Sequence, residues 1–241
     1  NGQKLVPVDQ VFTIERSLPH GHVEAVLGMI RKLGLDNIIA TKQSREKSII
    51  VALIAERLIE PASKLATTRL WKESTLAREL GVEDVRVEEV YQALKWLLNR
   101  QERIEKKLAK RHLTPGGFVL YDLTSSYFEG RTCPLAQHGY SRDHRGDRLQ
   151  IVYGVMSDEE GRPVATQVYS GQTADPSTVS DQVDKLRERF GLERAVLVGD
   201  RGMLTQTRID AIRKHPQLGW ISALRSGSIK DLVRSGDIQC S

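Results

Sequence analysis

The apolar residues change period at one point, the run Thr114-Pro115-Gly116-Gly117, and that switch divides what the chain can fold into. Gly and Pro clusters of this kind break regular structure, so the run marks a domain boundary. Before it the apolar residues recur at helical spacing. Val23, Val26, Leu27, Ile30 and Leu33 place a helix over 22–35, and Ile49, Ile50, Leu53, Ile54 and Leu58 place another over 44–59, with Ser44 as N-cap. Pro61 suits the first turn of a helix running toward Trp71. A short helix over 74–80 stops at Gly81, and a long one over 87–112 carries Val87, Val90, Tyr91, Leu94, Leu97, Leu98, Ile104 and Leu108 on one stripe.

After the boundary, strand and helix signals alternate. Residues 118–123 form an apolar run interrupted by Asp122, the pattern of a strand buried on both faces. Strands over 149–157 and 162–170 flank the turn Asp158-Glu159-Glu160-Gly161. Asp175-Pro176 opens a helix to about Phe190, with the Asp as N-cap. A short strand over 195–199 leads to Asp200, followed by a helix over 205–214 and a strand over 219–224. The expected fold class is α/β, with an all-helical domain over 1–113 and a mixed-sheet domain over 118–241.

Composition narrows the class. The chain is 39% hydrophobic and 28% charged, which excludes low-complexity and wholly disordered readings. It has no apolar run near the roughly 20 residues of a membrane span, and its first residues do not resemble a signal peptide. Two cysteines, Cys133 and Cys240, make no disulfide framework, so a reducing cytoplasm and no membrane partner are expected. The absence of an initiator Met suggests a fragment at the N-terminal end. Net charge is +5, and all of it lies in residues 1–117, with 20 basic and 15 acidic side chains against 16 of each in 118–241. That imbalance suggests an anionic partner for the first half, with a solvated helical surface as the plainer alternative.

Two aspartates stand out. A carboxylate within or at the end of a buried strand is costly unless paired, hydrogen-bonded or bound to metal. Asp122 interrupts one apolar strand and Asp200 ends another. If the strands are neighbours, the carboxylates converge where open α/β sheets bind ligands, and with no Cys or His partner they favour Mg²⁺ or Mn²⁺. For Asp200, before Arg201-Gly202, a turn residue is a real competitor.

Four segments in order resemble insertion-sequence DDE transposases: Tyr121-Asp122-Leu123-Thr124; Gly139-Tyr140-Ser141-Arg142-Asp143-His144-Arg145 with Asp147 and Gln150; Gly171-Gln172-Thr173-Ala174-Asp175; and Val198-Gly199-Asp200-Arg201-Gly202. They span about residues 116–225. The resemblance implies an RNase H-like core in which the strands bearing Asp122 and Asp200 are adjacent. It also implies DNA cutting and joining by two-metal phosphoryl transfer, with Asp122 and Asp200 as catalytic metal ligands. The expected partners are transposon-end and target DNA, bound by the helical domain over 1–113 among other parts, and a second copy of the chain; the expected location is cytoplasmic, at the bacterial nucleoid when bound to DNA. Gln172, Gly146 and Arg148 depart from the family pattern. The family's third acidic residue lies on a helix beyond Ser241, so the core is expected to be C-terminally incomplete and little strand transfer is expected.

Other features carry competing readings. The long segment 124–148 holds Arg131, Arg142, Arg145 and Arg148, and with Arg201 these are the candidate DNA contacts, although Asp143 and Asp147 offer internal ion pairs. Cys133, His138 and His144 lack a fourth zinc ligand and read as loop residues. The cations of 99–112, with Glu102 and Glu105, read as a solvated helix face. Trp71, Tyr91 and Trp96 read as core. Two other functions compete: a DNA-binding transposase remnant without catalysis, and a haloacid-dehalogenase-like phosphatase. The phosphatase needs a second Asp where Thr124 stands.

Overall fold

The computed structural model describes residues 6–7, 11–130, 132–140, 145–200, 202–203, 205–224 and 226–238, without the side chains of Asp175, Pro176 and Arg208. The chain forms two compact units, 1–104 and 105–241.

The first unit is helical. It contains α1 (Gly21–Leu33), α2 (Leu35–Ile39), α3 (Arg45–Ile59), α4 (Lys64–Leu70), α5 (Leu76–Leu80) and α6 (Val87–Leu98), and α7 (Gln101–His112) runs on into the second unit. Ser44 caps α3 as expected, its hydroxyl accepting from Lys47 N–H at 3.2 Å. Pro61 does not open α4; Ser63 is the N-cap, accepting from Ala66 N–H. The single helix expected over 87–112 breaks at Asn99, where Arg100 N–H bonds Leu97 O in a tight terminal turn and Arg100 O starts the next helix. Asn99 N–H still bonds Lys95 O, so the ladder ends only after it, and a continuous apolar stripe did not ensure a continuous helix. The core of this unit holds Val23, Leu27, Ile49, Ile50, Trp71, Leu76, Val82 and Val90.

The second unit is a five-stranded mixed sheet: β1 (Phe118–Phe128), β2 (Leu149–Asp158), β3 (Pro163–Ser170), β4 (Ala195–Val198) and β5 (Leu218–Ile221), in the order β3-β2-β1-β4-β5. β1, β2 and β3 are antiparallel neighbours, and β4 and β5 lie parallel to β1. The expected mixed sheet is present, with the strands bearing and preceding the two aspartates side by side.

Helices α8 (Asp175–Asp184) and α9 (Gln206–Arg213) supply Val179, Val183 and Ile212 to one core with Val119, Tyr121, Leu123, Met156, Ala195 and Leu197. Ala174, not Asp175, is the N-cap of α8, and a π-turn over Lys185–Arg189 completes that helix.

β1 is not buried on both faces. Val119, Tyr121 and Leu123 are buried, while Phe118 and Asp122 are exposed and Leu120 is half-buried. The helical residues of the core all share the face of Val119, and strand side chains alternate, so the other face stays open among the described residues. β1 also runs through Thr124–Phe128, which shortens the expected loop, because these residues pair with β2 as far as Phe128↔Leu149. A further helix, α10 (Ser226–Ser235), follows β5.

Candidate active site

Parallel pairing of β1 with β4 ends at Leu120↔Val198. Asp122 comes two residues after Leu120, and Asp200 two residues after Val198. Gly199 N–H bonds Ile221 O at 3.1 Å, so the chain stays extended beyond β4 as far as Gly199. Period-two alternation places Asp122 on the open face of the sheet, and Asp200 follows one residue beyond the extended segment. Both are exposed, so neither bears the desolvation cost expected of a buried carboxylate. Thr124, the phosphatase reading's missing acid, lies on this same face of β1.

Each aspartate is held by backbone N–H groups. Asp122 Oδ1 accepts from Leu123 N–H at 2.8 Å. Asp200 Oδ1 accepts from Gly202 N–H at 2.9 Å and Met203 N–H at 2.8 Å, so it does act as a turn residue. Oδ2 of each carries no hydrogen bond among the described residues. Carboxylates whose Oδ2 atoms are without a partner among the described residues suit a hard divalent cation. No group of three acidic, His or Cys residues suited to a metal occurs among the described residues.

The loop entering β2 is tied down by Gln150. Its backbone exchanges two hydrogen bonds with Gln137, and its side-chain Nε2 donates to Tyr140 O and Gly171 O, both at 2.9 Å. Gly171 N–H donates to Leu135 O. A Cβ on Gly139 would collide with Gly171 O, and one on Gly171 with Gln150 O and Gln137 O. Two motifs read separately in the sequence are therefore one packed junction. The glycine spacing hinted at close backbone approach, but only the tertiary structure brings the segments together.

Arg145 and Arg148 are half-exposed and share one carboxylate. Arg145 Nε lies 3.2 Å and Arg148 Nε 3.3 Å from Asp147. Asp147, by hydrogen bonding first and charge second, raises the Arg145 pKa, and Arg145 in turn holds the Asp147 carboxyl below its usual range. The Arg145 guanidinium also lies 5.5 Å from the Tyr127 ring centre. The internal pairing weighed against DNA contact is thus formed through Asp147. Arg131, Arg142 and Arg201 lie outside the described residues, as do His144 and Cys240.

Glu105 and Tyr91 also differ from their sequence-based expectation. Glu105 is buried rather than on a solvated face. Its Oε1 accepts from Thr166 N–H at 3.1 Å, and Arg189 Nη1 lies 2.9 Å from Oε2. Tyr91, expected in the core, is 59% exposed.

No family model matches the sequence, and no curated protein matches it. Among solved structures the chain is similar to a Mos1 transposase paired-end complex with left transposon end, at 14% identity and TM-score 0.31, covering 81% of this chain and 72% of that one. It is also similar to a Mos1 mariner paired-end complex with Mn, at 12% identity and TM-score 0.30 over 89% and 85% of the two chains. The Mos1 strand transfer complex is similar at 14% identity and TM-score 0.31, over 85% and 78%.

Proposed function

We propose that the chain is a transposase-type polynucleotidyl transferase of an insertion sequence, acting on DNA at Asp122 and Asp200. The observation that carries this reading is that Asp122 and Asp200 each follow by two residues the last parallel pair of β1 and β4, Leu120↔Val198. The four transposase-like segments add to it, since they include both aspartates and the Gly139–Gln150–Gly171 junction. Asp122 and Asp200 are the residues that would hold Mg²⁺ or Mn²⁺. A bound ion of this kind acts as a Lewis acid toward phosphoryl oxygens and lowers the pKa of a coordinated water. The chain's own part is orientation: the Gly202 and Met203 N–H groups fix one oxygen of Asp200 and leave the other available. Arg145 and Arg148, with Arg131, Arg142 and Arg201, are the proposed phosphate contacts, two copies of the chain the proposed assembly, and the nucleoid the proposed location.

The test is nicking of supercoiled plasmid by the 241-residue chain in Mn²⁺. Slow nicking is expected, lost in Asp122→Asn and in Asp200→Asn. A second reading, DNA binding without chemistry, is favoured by the absence of a third carboxylate beside the pair among the described residues. Plasmid binding with no nicking at any Mn²⁺ concentration would establish it instead.

A further inference from the structure

The open face of the sheet changes character at Asp122. On β1 that face presents Phe118 and Leu120 before the aspartate, and Thr124 and Ser126 after it. Val196 and Val198 of β4 pair with Phe118 and Leu120, and Ile221 of β5 pairs with Val198, so the side before Asp122 is apolar. On the other side Tyr153, between Ile151 and Val155 on this face of β2, pairs with Thr124, and its hydroxyl lies 3.1 Å from Ser126 Oγ. A Ser–Tyr hydroxyl pair uses one of its protons internally and can donate the other outward. The Thr124 hydroxyl has no hydrogen-bond partner among the described residues. Thr124, Ser126 and Tyr153 are half-buried, held by their neighbours yet open to solvent in part. Next to Ser126 stands Tyr127, with the Arg145 guanidinium 5.5 Å from its ring centre. At about 3.4 Å per residue, Thr124 lies roughly 7 Å and Ser126 roughly 14 Å along β1 from Asp122. The hydroxyls thus fill the stretch between the aspartate and the cation.

We infer that Thr124, Ser126 and Tyr153 are a phosphate track, their hydroxyls donating to phosphates of one DNA strand as it runs from Asp122 toward Arg145. The inference rests on the reading of the chain as a DNA-cutting transferase, and deepens it by giving the bound strand a path. Neutral donors suit this place. A lysine or arginine as near Asp122 as Thr124 is would pair with the carboxylate and compete with a divalent cation for it, whereas a hydroxyl leaves it available. A hydroxyl donating to an ionised phosphate also makes a charge-assisted bond, about twice as strong as a neutral one. Such contacts fix the register of the backbone without reading its sequence. The side chains of Phe118, Leu120, Val196, Val198 and Ile221 have no donor, so they direct the strand to the hydroxyl side.

The experiment is thiol cross-linking of the full chain without divalent cation, so that no result depends on metal binding at Asp122 or Asp200. In a chain carrying Cys133→Ser and Cys240→Ser, one cysteine is introduced as Thr124→Cys, Ser126→Cys or, on the apolar side of the same strand face, Phe118→Cys. The probe is single-stranded oligothymidylate with a disulfide-activated tether on one phosphate. Thr124→Cys and Ser126→Cys should react roughly tenfold faster than Phe118→Cys, and excess untethered oligothymidylate should slow them. Exposure alone predicts the opposite order, because Phe118 is exposed and the other two are half-buried. With the native cysteines present, Ser126→Ala combined with Tyr153→Phe should weaken oligothymidylate binding roughly tenfold. Removing both hydroxyls strands neither partner, so circular dichroism should not change. Equal cross-linking rates at the three positions, or unchanged affinity in the double variant, overturns the inference. Mn²⁺-dependent nicking that needs the aspartates would survive that result.

Discussion

Asp122 and Asp200 follow the last parallel pair of β1 and β4, Leu120↔Val198, by the same two residues, so both lie just past the end of that pairing. The two differ in how they are held. Asp122 accepts one backbone N–H and Asp200 accepts two. That difference separates the structural role of Asp200 from its proposed chemical one.

Asp200→Asn keeps an oxygen for Gly202 and Met203 N–H, so stability by urea denaturation should change little. Asp200→Ala loses both bonds and should cost about 1 kcal/mol, as for loss of a capping side chain. Mn²⁺ binding, read by calorimetry, should weaken in both variants, because a neutral amide is a poor ligand for a hard cation. Equal stability of the Ala and Asn variants would remove the turn role.

Gly171→Ala should destabilise the second unit by roughly 1–3 kcal/mol or more, because the added Cβ meets the carbonyls of Gln150 and Gln137 with no side-chain end to yield. Gly28→Ala is the control, since its Cβ would meet only the Glu24 carboxylate at 3.9 Å. Urea midpoints of the two variants make the comparison.

Glu105 is a buried anion facing Arg189 at 2.9 Å and Lys185 at 3.8 Å. Burial pushes the Lys185 pKa down, and Glu105 opposes that shift. Glu105→Ala should cost roughly 3–5 kcal/mol, because it strands a buried cation. Lys185→Met in the Glu105→Ala chain should recover part of the loss, a coupling that a double-mutant cycle measures.

His112 gives a pH dependence. Burial first and the Arg162 charge second lower its pKa, outweighing the attraction of Asp158 at 3.9 Å. A lowered folded value favours the neutral imidazole. Its stabilising contribution is full above the unfolded value of about 6.5 and is lost as pH falls toward the folded value. Amide protection factors in β2 and β3 should fall as pH drops below about 6.5, and His112→Gln should flatten that change. Asp158 acts in a lower window. Burial alone would raise its pKa, but the Arg162 N–H, the Arg162 guanidinium and the Glu160 N–H hold the carboxyl below its ordinary value. Its contribution is therefore lost only as pH falls below the ordinary carboxylate range.

Local signals in the sequence determined most of the succession of elements, though not the break at Asn99 or the helix α10. Ser44 caps α3, Gly81 stops α5, and Asp158–Gly161 turns β2 into β3, each through bonds or dihedrals within a few residues. The sequence also singled out Asp122 and Asp200, since a carboxylate against an apolar strand is conspicuous without a structure. The tertiary structure alone decided which face each side chain took. Tyr91 lies on the same apolar stripe as Val90 and Leu94 yet is exposed, and Glu105 lies among cations yet is buried. Helical period shows which residues share a stripe, but not what packs against it. Likewise the register Leu120↔Val198 and the contact of Gly139 with Gly171 join segments far apart in the chain. Such pairings are fixed by the shared burial of many side chains, a property no short window of sequence contains.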